Sequence, residues 1–198
     1  MEINNIEKKI LLFIARSSIE KRLHRDTETV SKILEMSISK FSPNSQEKYP
    51  ILYSKSGCFV TLHIHKELRG CIGTFRTDRE LYINVWDMAI QAAFHDPRFP
   101  PLTNDEFSIL NIEISVLSPM VKIDNLDNII IGRDGLYVKK GFHSGVLLPQ
   151  VATEYGWDKE EFLSYTCRKA GLKPDIWKYE AIEIYKFSAS VFSEEDLS

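Results

Sequence analysis

The sequence predicts an α+β fold with a mainly antiparallel sheet and flanking helices. Three observations carry that reading. Helical and strand patterns do not alternate regularly along the chain, as a parallel βαβ array would require. Two β-rich runs lie on either side of a connection of only a couple of residues, which forces them antiparallel. A third run alternates apolar and polar residues, the signature of a strand with one wet face. The chain has 198 residues, 43% of them hydrophobic and 27% charged. A chain of this size buries roughly 70% of its extended surface on folding, so neither metal nor disulfide is required for stability. Length allows one domain, or two closely joined subdomains.

Taken in order, Asn5 to Leu23 reads as a helix, with Ile6, Ile10, Phe13 and Ile14 at helical spacing and Glu7, Lys8, Arg16 and Glu20 facing water. A short helix is expected around Val30–Met36, followed by a loop marked by Ser42-Pro43-Asn44 and closed by Tyr49-Pro50. Cys58 to His65 and Leu68 to Phe75 form a hairpin about Lys66-Glu67. Thr77 with Glu80 three positions on has the form of a capping box, opening a helix that presents Leu81, Val85, Met88, Ala89 and Ala92 on one side. Pro97 stops that helix, because a proline disfavours helical geometry at the residue before it. Asp96-Pro97-Arg98-Phe99-Pro100-Pro101 is then a stiff, non-regular connector.

Ser108 to Ser118 is the alternating strand, with Ile112, Ile114 and Val116 set against Asn111, Glu113 and Ser115. Shorter strands are expected at Ile129–Ile131, Leu136–Lys140 and Val146–Leu148, with Asp134-Gly135 as a tight turn between the first two. Pro149 suits the first position of a short helix that Gly156 ends. Asp158 with Glu161 caps another helix, whose stripe Leu163, Thr166, Cys167 and Ala170 faces the core before Gly171 and Pro174 end it. The last β stretch runs from Trp177 to Phe192.

The formal charge of −3, from 25 Lys+Arg against 28 Asp+Glu, argues against a protein that grips a nucleic-acid backbone, which takes concentrated basic residues. Three cysteines without paired spacing fit a reducing cytoplasm better than a disulfide scaffold. The apolar run Ile10–Ala15 is too short and wrongly flanked for a signal peptide or membrane span. The basic cluster Lys21, Arg22, His24 and Arg25 ends a helix, where it complements the dipole.

The most unusual segment is Leu68-Arg69-Gly70-Cys71-Ile72-Gly73-Thr74-Phe75. Strand alternation puts Arg69 and Cys71 on one face and Leu68 and Ile72 on the other. Two glycines inside a strand mark a bend, or the close approach of a backbone or a ligand. A guanidinium beside a thiol favours the reactive thiolate, so one reading makes Cys71 a nucleophile or ligand contact in a glycine-opened pocket. The other makes Cys71 a small buried hydrophobe and Arg69 an ion-pair partner. In the connector, His95 beside Asp96 has the makings of a general base and Arg98 of an anion clamp. Equally, Asp96 turns the chain, Arg98 braces the prolines and His95 sits on the surface. His63 and His65 share a strand parity but lack a well-spaced third ligand, so no metal is expected. The Gly141–Gly145 stretch before Pro149 offers backbone N–H groups to an anion but lacks the phosphate-loop Gly-Lys-Ser/Thr.

These segments together resemble the AMMECR-type domain family. The likeness runs from Leu68–Phe75 through Asp96–Leu102, Ile112–Leu117, Gly132–Leu136 and Leu147–Ala152 to Phe162-Leu163 and Cys167–Leu172, in family order over most of the chain. It is similar above all to the prokaryotic branch called AmmeMemoRadiSam system protein A. The resemblance implies one AMMECR-type domain with a larger and a smaller lobe, divisible into two subdomains with the signature segments near a cleft. It implies no cofactor, and it points to partners among Memo-like and radical S-adenosylmethionine (radical-SAM) proteins. Its motif covers Arg69, Gly70, Cys71, Gly73, Arg98, Asp134 and Gly135, and does not require His63, His65, His95 or His143. The leading expectation is a cytoplasmic component of a Memo/radical-SAM-linked pathway. It would bind a small anionic ligand or a protein partner through Arg69, Gly70, Gly73, Thr74, Arg98 and Asp134. The alternative is an enzyme with Cys71 as nucleophile; a regulatory nucleic-acid binder is disfavoured by charge. On the leading reading, Arg69→Ala and Arg98→Ala weaken binding and leave the fold intact.

Overall fold

Helix α1 spans Asn5–His24 and begins with a reciprocal capping box. The Glu7 N–H donates to Asn4 Oδ1 at 2.9 Å, and the Asn4 N–H donates to Glu7 Oε2 at 3.1 Å. The other Glu7 oxygen accepts the Ile51 N–H at 3.1 Å. Glu7 is therefore buried, against the expectation that it faces water; two backbone N–H groups bonded to its carboxylate compensate its desolvation. The computed structural model describes residues 2–43, 48–75 and 77–197. They form two compact units, the larger from Met1–Val116 and Ser190–Ser198, the smaller from Leu117–Ala189.

In the larger unit α1 is followed by α2 (Val30–Phe41), a turn longer than its sequence signal. Asn44, part of the expected loop signal, lies outside the described residues. Strands β1 (Cys58–Ile64) and β2 (Glu67–Thr74) form the expected hairpin. Its turn sits at His65-Lys66, one residue earlier than expected, with φ of 52° and 68° at the two positions, the type I′ pattern whose twist matches a hairpin. Helix α3 (Leu81–Phe94) follows, but the Thr77/Glu80 capping box does not form, since Glu80 is the N-cap and its side chain makes no capping bond. A tertiary contact replaces it: the Leu81 and Tyr82 N–H groups donate to Ser54 O and Leu52 O at 2.8 and 3.1 Å.

The connector after α3 leads to a one-turn helix α4 (Asn104–Ser108), absent from the sequence reading although Thr103 and Glu106 make a complete capping box. Strand β3 (Leu110–Leu117) then pairs antiparallel with β1, which becomes the centre of the order β2-β1-β3. The chain returns to this unit at Ser190, in the last residues of β7 (Glu183–Ser193), beside β3. Ile10, Ile14 and Ile19 of α1, Val85 and Ala89 of α3, and Val60, Leu62, Ile112 and Ile114 of the sheet form one buried core.

In the smaller unit, β4 (Val121–Ile123) and β5 (Asp134–Lys140) each pair antiparallel with β7, and β6 (His143–Leu147) pairs with β5. Helices α5 (Pro149–Tyr155) and α6 (Lys159–Lys169) start at Pro149 and at the Asp158/Glu161 box as the sequence indicates. Phe162, Leu163 and Cys167 of α6 pack with Leu136 and Val138 of β5. Three expectations fail here. Ile129–Ile131 is not a strand: it follows a 3-10 turn at Leu126–Asn128, and Ile129 is simply a buried core residue. Asp134-Gly135 is not the turn but the start of β5; the chain reverses over residues 130–133, with Gly132 at φ 82°. Likewise Trp177 lies in a 3-10 turn, Ile176–Lys178, and the last strand begins only at Glu183. No helix of the described residues is long and apolar enough to cross a membrane.

Candidate functional site

The two arginines of the sequence motif meet at Phe99, and a break in strand register puts the first of them there. Across the hairpin, His63 opposes Leu68 while Leu62 opposes Gly70, so Arg69 is the extra residue of a β-bulge. A bulge re-aims the side chain it carries, and simple alternation from Cys71 no longer describes Arg69. Its Nε and Nη2 donate to the two oxygens of Glu106 at 2.8 and 3.1 Å, and Nη2 also donates to Pro100 O at 2.9 Å. Its Cζ lies 5.8 Å from the Phe99 ring centre. The side chain keeps only 10% of its surface exposed, and Nη1 is buried without a partner among the described residues.

Arg98 approaches the same ring, its Cζ 5.5 Å from the centre. Nε and Nη2 donate to Asp96 Oδ1 and Oδ2 at 2.9 and 2.7 Å, and Nη2 reaches Cys71 O at 3.2 Å. Asp96 also accepts the Arg98 N–H at 3.1 Å and the Cys71 N–H at 2.9 Å. The connector is thus fastened to both backbone groups of Cys71. Asp96 is 1% exposed in its side chain and Arg98 53%. Nη1 of Arg98 makes no hydrogen bond to the described residues.

The carboxyls of the two pairs respond as their partners dictate. Hydrogen bonds from Arg98, opposed by burial and helped by the Cys71 and Arg98 N–H groups, hold Asp96 far below the usual carboxylate range. Hydrogen bonds from Arg69, against burial, bring Glu106 down to about 2. Both are anions at any working pH, so each guanidinium sits in a neutral pair.

The glycines close space rather than open it. A Cβ at Gly70 would lie 2.3 Å from the carbonyl oxygen of Ala92 in α3, so glycine lets the helix backbone settle onto the strand. A Cβ at Gly73 would lie 2.2 Å from a ring carbon of Phe59, which occupies that place itself. The expected glycine-opened hollow beside Cys71 is therefore filled by α3 and by Phe59. The Cys71 thiol is half-buried, 3.3 Å from the Thr61 hydroxyl directly across the hairpin. Thr74 ends β2 opposite Cys58. The expectation that Arg69→Ala leaves the fold intact does not suit a buried arginine that ties β2 to α4 and the connector.

Asp134 belongs to the smaller unit and is engaged there. It accepts from Arg133 Nε and Nη2 at 2.7 and 2.9 Å and from the Ile130 N–H at 3.0 Å. Burial raises its pKa, but Arg133 and Ile130 prevail and keep it below the ordinary value. His95 is the exposed C-cap of α3, and His65 sits in the hairpin turn away from a shared face with His63. Among the described residues no three His, Cys, Asp or Glu side chains gather as metal ligands. Burial pushes the Cys58 thiol well up and the Cys167 thiol up to about 11, which makes both packing residues.

Sequence reasoning missed Glu106, Thr61 and the approach of both guanidiniums to Phe99. The Thr103-to-Glu106 spacing announces a helix start, yet nothing local says that Glu106 turns toward Arg69, 37 positions earlier.

The AMMECR1 family model matches residues 12–192. Protein MJ0810 of Methanocaldococcus jannaschii is 48% identical over 157 residues, covering 75% of this chain and 78% of that protein. A protein of Thermofilum pendens is 38% identical over 204 residues, covering 95% and 90%. The crystal structure of the uncharacterized protein PH0010 from Pyrococcus horikoshii superposes with a TM-score of 0.81 at 40% identity, covering 98% of this chain and 95% of that one.

Proposed function

The chain belongs to the AMMECR1 family, and from that premise we propose that it is a binding component rather than a catalyst, with Arg98 as its anchoring contact. The ligand is an anionic group, carried by a small molecule or presented by a partner, and the partners to test are Memo-like and radical-SAM proteins. One observation carries the reading: Arg98 is fixed through Nε and Nη2 by a buried carboxylate, yet its side chain stays half-exposed and its Nη1 has no hydrogen-bond partner among the described residues. Most exposed arginines pay side-chain entropy when they bind; this one is already ordered, which is what preorganised recognition of a carboxylate or phosphate needs. Cys71 and Thr61 line the neighbouring strand surface, while Arg69 and Glu106 hold the connector in place. The setting is a reducing cytoplasm, which the three unpaired cysteines support.

Mixing the purified chain with a Memo-like and a radical-SAM protein of the same organism tests the reading. A complex that survives gel filtration and is lost in Arg98→Ala is expected; no association with either protein sinks the partner assignment. Iodoacetamide distinguishes the enzymatic alternative. Cys71 should alkylate no faster at pH 7 than a free thiol model, and faster labelling would favour a nucleophile.

A further inference from the structure

A groove of about 710 Å³ lies where α1 and α3 both end. Leu23, Phe94 and Leu102 give it an apolar floor, and Arg22, Arg25 and His95 stand at its rim. In sequence, the basic cluster at 21–25 looks like dipole compensation, and His95 belongs to a different segment. Folding brings them to one place. Arg25 is the C-cap of α1 in the left-handed region at φ 55°, a position glycine usually fills. The Asp26 N–H donates to Lys21 O at 2.9 Å, which closes the helix there.

The charges around the groove do not cancel. Lys21 Nζ bonds Asp26 at 2.7 Å and Glu28 at 2.6 Å, and Lys32 bonds Glu28 at 2.6 Å. Those two cations and two anions neutralise one another. Arg22 and Arg25 make no ion pair among the described residues. What is left is a pair of guanidinium forks with no carboxylate partner among the described residues, set against only the partial negative charge of the α1 C-terminus. They stand above a hydrocarbon floor, in a volume typical of small-molecule sites, roughly 300–1,000 Å³. A carboxylate brings one charge; a phosphate monoester brings close to two at neutral pH, and its oxygens suit the guanidinium fork.

We propose that this groove binds an organic phosphate monoester, its phosphate on Arg22 and Arg25 and its apolar body on Leu23, Phe94 and Leu102. The site shares no residue with the Arg98 surface, so the two readings fail separately.

Phenyl phosphate is the probe, titrated by calorimetry at low salt beside inorganic phosphate and benzoate. A Kd below about 1 mM is expected, at least about fivefold tighter than either comparison anion, with affinity falling as salt is added. Arg22→Glu with Arg25→Glu should weaken binding at least about tenfold, whereas Lys122→Glu, exposed on β4, should change it less than about twofold. Arg22→Gln with Arg25→Gln serves as a milder pair should the charge reversal disturb α1. Inorganic phosphate binding as tightly as phenyl phosphate would remove the apolar floor from the account. Benzoate binding equally would remove the dianion. Charge variants no weaker than Lys122→Glu would overturn the site.

Discussion

Arg69 gives up its exposure to Glu106 and Pro100, while Arg98 keeps half of its own above Asp96. Removing each should therefore do different things. Arg69→Ala leaves Glu106 without its partner and β2 without its tie to α4; a loss of about 2–4 kcal/mol is expected in urea unfolding. Arg69→Lys should recover less than half of that, because a point charge does not reproduce two parallel N–H···O bonds plus a third to Pro100. Arg98→Lys, at a half-exposed pair, should cost about 1 kcal/mol or less. That Arg69, Cys71 and Arg98 share one neighbourhood was legible in the chain. Their division of labour was not, since it depends on a bulge that breaks the two-residue period and on Glu106, far along the sequence.

At the scale of elements, β2 packs closely on α3 at Gly70. Gly70→Ala pushes a methyl into the Ala92 carbonyl, and the helix must move away; about 2–3 kcal/mol and a clear drop in melting temperature are expected. Thr103→Ala removes the cap of α4 and should cost about 1 kcal/mol, with Arg69 loosened through Glu106. A melting temperature unchanged by Gly70→Ala would mean that α3 and β2 do not approach as described. Elements whose signals are local were read correctly: the hairpin by its β runs, α5 by Pro149 and Gly156, α6 by its capping box. Errors arose where a tertiary partner intervened. The Thr77/Glu80 box was displaced by the carbonyls of Leu52 and Ser54, and the β-branched Ile129–Ile131 run was held in a turn that the Asp134 carboxylate braces.

At the scale of the whole molecule, the depressed carboxyls predict acid lability. A carboxyl whose folded pKa lies below its unfolded value stabilises the fold above the unfolded value and stops doing so as pH falls through the folded one. For Asp96 and Glu106 that stabilisation is complete above about pH 5 and fades from about pH 4 toward 2. The urea midpoint should be level between about pH 7 and 5, then fall steeply. Asp96→Asn with Glu106→Gln should lower the plateau and flatten the fall; an equally steep fall in that variant would assign acid lability elsewhere. The larger claim is that one preorganised arginine makes this chain a binding component. Titrating the Memo-like and radical-SAM proteins against wild type, Arg98→Lys and Arg98→Ala tests it most directly. The account predicts that both variants bind at least about tenfold more weakly, with the lysine recovering little because an ammonium cannot be held by both Asp96 oxygens and still present a fixed N–H to the ligand. Wild-type affinity in Arg98→Ala would contradict it.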